Sequence, residues 1–72
     1  MFQVTAIYQD CEVGYGEADG LDYAVEECAL SIDSFYAALP AHSFGLNILR
    51  DGEKMVPDAS IRRVFRETYA VV

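Results

Sequence analysis

A run of apolar residues at helical spacing, closed by a proline, constrains this chain more than any other feature. Leu21, Val25, Cys28, Ile32, Phe35 or Tyr36, and Leu39 recur every three or four residues. That is the period of a helix with one buried face. Asp19 stands where an N-cap belongs, and the acids of the first turns suit the positive end of the helix dipole. Pro40 cannot continue a helix and disfavours helical geometry at Leu39, so a helix is predicted from the Asp19 cap to a stop at Leu39. Such a helix must cover something. In 72 residues there is room for one helix on one small sheet and little more.

The strands are read from alternation. In "FQVTAIYQ" (2–9), Phe2, Val4, Ala6 and Tyr8 fall on one face and Gln3, Thr5 and Ile7 on the other, the pattern of a strand. In "CEVGYGEA" (11–18), Cys11, Val13 and Tyr15 continue a period of two, which predicts a short second strand or an extended arm. Gly14 and Gly16 allow it a bend or a bulge. "FGLNILRDGEKMV" reads as a hairpin turning at Asp51-Gly52, a pair suited to positive φ angles. Pro57 and Asp58 end its return strand. In "ASIRRVFRETYAVV" the β-branched and aromatic content favours a strand, although Ile61, Val64, Phe65, Thr68 and Val72 also fall at helical spacing behind Ser60. The expected fold is α+β, a single domain over 1–72. One amphipathic helix packs on a small antiparallel sheet, in the order β-β-α-β-β(β).

Charge is distributed very unevenly. The net charge is −7, yet residues 1–49 carry eight acids and no base, while all five bases lie in 50–72 beside four acids. An acidic surface of this kind repels nucleic acid and anionic membranes and attracts basic proteins. A chain this short rarely encloses a substrate pocket of several hundred cubic ångströms, which argues against an enzyme. Cys11 and Cys28 form no Cys-x-x-Cys pair, the N-terminus lacks the pattern of a signal peptide, and no apolar run reaches membrane-spanning length. The expected setting is cytoplasmic, with reduced thiols.

On the predicted helix Asp22, Glu26 and Asp33 fall within roughly 40° of one another opposite the apolar face. Asp19 joins them at the cap, and Glu27 extends the stripe to one flank. Surface helices usually intersperse signs, because each opposite pair at helical spacing adds a few tenths of a kcal/mol. Here no Lys or Arg is interspersed. Solubility alone is one explanation. The other is a binding face made of Asp19, Asp22, Glu26, Glu27 and Asp33, with Glu12 and Glu17 beside them. Tyr15 and Tyr23, set among the acids, would add stacking and cation–π contacts for arginine.

Other constellations are weaker. Gly14-x-Gly16 has Asp19 where a phosphate loop needs glycine, and its carboxylates repel phosphate. Asp10-x-Glu12 opens no calcium loop, because its fifth and twelfth positions are Gly14 and Leu21. Cys28 belongs to the apolar face and nothing near Cys11 activates it, so a core thiol and a loop histidine are expected before a nucleophile paired with His42. No cofactor is implied. Arg62, Arg63 and Arg66 are too few in a molecule of this charge to hold nucleic acid directly. They are expected to pair with Glu67, Asp58 or the helix acids, or to guard a strand edge.

With "EADGLDYAVEECALSID" as the helix and "LRDGEK" as the hairpin, the chain resembles in outline the small acidic inhibitors of phages and mobile elements. These include anti-CRISPR proteins and other DNA mimics. The resemblance covers the whole chain at the level of size, charge and element order, and carries over no particular residue. It implies a non-enzymatic inhibitor whose partner is a basic nucleic-acid-binding protein or complex, with no direct contact to nucleic acid or membrane. Two other readings compete with it. One is a homodimer formed through a spare sheet edge or the apolar "TYAVV", with the acids serving solubility. The other is a small metal-dependent or Cys/His enzyme using Cys11, His42 or the acids from Asp10 to Glu17.

Overall fold

The computed structural model describes residues 1–70. Its elements are β1 (Phe2–Tyr8), β2 (Cys11–Ala18), α1 (Leu21–Leu30), β3 (Gly45–Arg50), β4 (Glu53–Met55) and α2 (Ala59–Ala70). Short 3-10 turns at Ser34–Tyr36 and Ala41–Ser43 connect α1 to β3. The fold is α+β in the order ββαββα, with two helices where the sequence predicts one. The antiparallel sheet runs β2-β1-β3-β4.

Both hairpins turn through backbone with positive φ. Asp51 and Gly52, at 50° and 87°, make the expected two-residue turn. Gln9 and Asp10 adopt 50° and 65°, and this turn folds 11–18 back as a full second strand. β1 alternates as read: Val4 and Ala6 are buried, with Phe2 and Tyr8 packed against the same core. β2 does not alternate as read. Ala6 pairs with Gly14 but Ile7 pairs with Glu12, so Val13 is the extra residue of a bulge. The bulge reverses the phase. Val13 and Gly16 face inward, while Tyr15 and Glu17 turn to the open face of the sheet, beside Thr5 and Gln3.

The two glycines let α1 sit directly on β2. A Cβ at Gly16 would collide with the Ala24 carbonyl oxygen and the Cys28 amide, and one at Gly14 would come within 2.8 Å of Ile32. From that seat α1 buries Ala24, Val25, Cys28 and Ala29. It ends at Leu30, well short of the predicted limit at Leu39. The reason is the polar run that follows. The Ser31 hydroxyl donates to the Cys28 carbonyl (2.8 Å), and the Asp33 carboxylate accepts from the Phe35 amide (2.8 Å). Such side chains offer the backbone partners that compete with helix. The turns still direct Ile32, Tyr36 and Leu39 to the core, so the apolar period outlasts the helix. Phe35 does not share that packing and is 83% exposed.

The segment expected as a strand is α2. Asp58 accepts from the Ile61 amide at 2.9 Å and caps it, which neither Pro57 nor Ser60 does. Once capped, α2 buries Ile61 and Phe65 and turns Arg63, Arg66 and Glu67 to solvent. That amphipathic division overrides the strand-favouring composition. Val71 and Val72, the end of "TYAVV", lie outside the described residues.

α2 packs on α1, and where it meets the loop before β3 the core is aromatic. Phe44, fully enclosed, lies 5.3 Å from Tyr69, 6.1 Å from Phe65 and 6.1 Å from Tyr8, centroid to centroid. The Tyr69 hydroxyl sits 2.6 Å from the Leu39 carbonyl and 3.0 Å from that of Tyr36, so its one proton serves the turn just before Pro40.

Cys28 belongs to the core, as expected, and burial pushes its thiol up to about 12. Cys11 is exposed. A thiol-specific disulfide reagent at neutral pH should therefore titrate Cys11 in the native protein and Cys28 only after unfolding. Immediate reaction of both thiols would contradict this core.

Candidate functional acidic face

The acidic residues emerge from the helix–strand seat. Gly20 is the N-cap of α1 and has no side chain to cap with, so Asp19 sits one residue outside the helix rather than at the cap. Asp22 lies in the first turn, where its charge suits the helix dipole. With Ala24, Val25, Cys28 and Ala29 buried, the outer surface of α1 carries Asp22, Tyr23, Glu26, Glu27 and Leu30. At helical spacing Tyr23 and Leu30 form the ridge of that surface, with Asp22 and Glu26 on one flank and Glu27 on the other. This corrects the continuous acidic stripe expected from the sequence. The acids flank an apolar line in which Tyr23 is 70% and Leu30 57% exposed.

Glu27 reaches over the edge of β2. Its carboxylate accepts from the Glu17 amide at 3.4 Å, while the Ser31 hydroxyl accepts from the Tyr15 amide at 2.8 Å. Both amides belong to an edge strand, and α1 supplies partners for them. The Glu17 side chain turns to the open sheet face and accepts from the Tyr15 hydroxyl (2.8 Å) and from Gln3 Nε2 (3.2 Å). These bonds favour the charged carboxylate and hold it below its usual range, and the same contact raises the Tyr15 phenol. Glu12 is exposed on β2 beside the bulge. Asp33 departs from the predicted set. It lies beyond the end of α1, where its carboxylate caps the following turn, so it does not align with Asp22 and Glu26.

The predicted residues thus divide. Asp19, Asp22, Glu26 and Glu27 belong to α1 and its approach, Glu17 touches them through the Glu27 contact, and Glu12 and Asp33 stand apart. Tyr23 was legible as an exposed aromatic among acids. Leu30 and Phe35 were not, because the helical period assigns Phe35 to the core and says nothing of Leu30.

None of these carboxylates meets a cation. Among the described residues the only ion pair joins the Met1 amino group to Asp51 at 2.7 Å, which draws the Asp51 carboxyl below its usual range. The arginines of α2, expected to pair with Glu67, Asp58 or the helix acids, make no such pair. Arg62 instead donates from Nη1 to the Phe44 carbonyl at 3.0 Å. Nor do they guard a strand edge, since they lie on a helix. Arg50 lies over the Phe2 ring at 5.8 Å. No three His, Cys, Asp or Glu side chains among the described residues converge as a metal site. No described helix is long and apolar enough to cross a membrane.

No family model, curated protein or solved structure matches this chain.

Proposed function

We propose that this protein is a non-enzymatic interaction protein, an inhibitor of the DNA-mimic or anti-CRISPR kind. Its outer α1 surface meets the positively charged, nucleic-acid-binding surface of a partner protein. One observation carries the reading. The carboxylates of α1 and β2 have no cationic partner among the described residues, although three arginines stand on the other helix of the same molecule. Folding leaves the acids uncompensated, and a partner supplies what folding does not.

The exposed ridge adds to this. Partner-binding surfaces combine apolar anchors with a polar rim, and tyrosine is enriched among the residues that carry most binding energy. Tyr23 and Leu30, flanked by Asp22, Glu26 and Glu27, have that composition. The carboxylates steer encounter and take the place of phosphates on the partner's arginines and lysines. Tyr23 offers an aromatic face to a guanidinium.

The test is capture of a basic nucleic-acid-binding protein from host lysate, followed by competition. Capture should fall as salt rises from about 0.1 to about 1 M, over which screening shortens from roughly 10 to roughly 3 Å. A DNA duplex or RNA should displace the same protein. The triple variant D22N/E26Q/E27Q retains hydrogen-bond acceptors, including the one facing the Glu17 amide, and should fold yet lose capture. If the variant captures the same proteins as the native chain, the acids serve solvation and the proposal fails.

A further inference from the structure

A cleft beside α2 is lined by none of the residues of the acidic face. Between the Ala41–Ser43 turn and α2 lies this open cleft of about 170 Å³, lined by Ala41, His42, Arg62, Phe65 and Arg66. Arg66 also borders an adjoining groove along α2 that contains Ser60 and Arg63. Two of the lining residues are apolar, Phe65 buried and Ala41 half-buried, and the other three, His42, Arg62 and Arg66, carry nitrogen donors. We propose that this cleft binds a small phosphate-bearing ligand, of the class of inorganic phosphate or a phosphate monoester.

Three observations carry this. First, Arg62 is held in place: its Nη1 bond to the Phe44 carbonyl fixes one edge of a half-buried guanidinium. An anchored fork loses less entropy on binding than a free one. Second, Arg66 follows Arg62 by one helical turn and so stands on the same side of α2, with His42 on the facing turn. Two guanidiniums and an imidazole around one small cavity suit an anion with several oxygens, which phosphate provides and carboxylate provides less well. Third, no carboxylate of the described residues lies within 4 Å of these arginines, in a chain with twelve acids. Among the described residues no carboxylate neutralises the site.

The net charge of −7 selects for ligand size. A nucleic-acid strand would bring many phosphates against the acidic surface, whereas a single phosphate feels chiefly the groups within a Debye length of about 8 Å. This inference rests on α2 and the turn before β3, and does not depend on the acidic face.

The experiment is an NMR titration of the full chain with inorganic phosphate, alongside acetate and chloride at matched ionic strength. Phosphate should give saturable shifts confined to Ala41, His42, Arg62, Phe65 and Arg66, while acetate and chloride give weaker ones. R66Q, at an exposed position, should keep the native melting temperature and weaken phosphate binding about tenfold or more. R63Q, which touches only the adjoining groove, should stay within about twofold of the native affinity. Non-saturating shifts, equal response to acetate, or unchanged binding in R66Q would each overturn the proposal.

Discussion

Replacing Gly16 with alanine is expected to remove the cooperative thermal transition or lower its midpoint severely. The added methyl group has no room. It would meet the Ala24 carbonyl oxygen and the Cys28 amide, both of them backbone of α1, so no side-chain rotation can relieve the clash. To accept it, α1 must lift from β2 along its length, loosening Ala24, Val25 and Cys28, all of them fully buried. Overpacking typically costs about 1–3 kcal/mol and occasionally more, and a clash with backbone that cannot rotate away belongs at the upper end. A chain this short is expected to have total stability of only about 5 kcal/mol. Circular dichroism melts should compare it with Gly45→Ala, where the nearest atom to the new Cβ is the Ile7 carbonyl oxygen at 3.8 Å. The Gly45 variant should melt near the native temperature. Equal melting of both variants would mean that α1 does not rest on β2 as described.

Phe44→Ala should be comparably damaging for the reverse reason, an emptied core. Phe44 is buried where Tyr8, Phe65 and Tyr69 converge, and it joins the sheet to α2. Truncating a buried phenylalanine costs about 3–5 kcal/mol through lost transfer energy and the cavity left behind. Phe35→Ala is the contrast within the same chain. That ring is 83% exposed, so its loss should change stability by no more than about 0.5 kcal/mol. Urea denaturation of the two variants decides the matter. A Phe44 variant within about 1 kcal/mol of native would refute the aromatic junction.

These two phenylalanines also show where sequence reading succeeds and where it stops. Alternation found β1, the Asp51-Gly52 turn found the β3–β4 hairpin, and the apolar period found the start of α1, because each signal is local. The end of α1 was hidden by its own periodicity. Ile32, Tyr36 and Leu39 keep facing the core through 3-10 turns, so the pattern continues after the helix has stopped. α2 was hidden by composition, and its sequence marker was Asp58, whose carboxylate caps the first turn. The phase of β2 was not available from the residues alone, since the bulge at Val13 depends on pairing with β1. The acids were legible as a charged set. Helical spacing also sets Tyr23 and Leu30 between Glu26 and Glu27, but that Leu30 is exposed there follows from how α1 is rotated on β2.

The seal that α1 places on β2 has a consequence for how copies of this protein behave when crowded. Templated growth of a sheet requires a row of unclaimed amides along a flat margin. At β2 the Tyr15 and Glu17 amides are already occupied by Ser31 and Glu27, and the bulge at Val13 bends the same margin. At the other margin β4 is only three residues long. Occupied amides, a bulge and a short edge strand are among the features by which sheet margins avoid templating further copies. Strand-by-strand addition at these margins is therefore expected to be disfavoured as copies are concentrated.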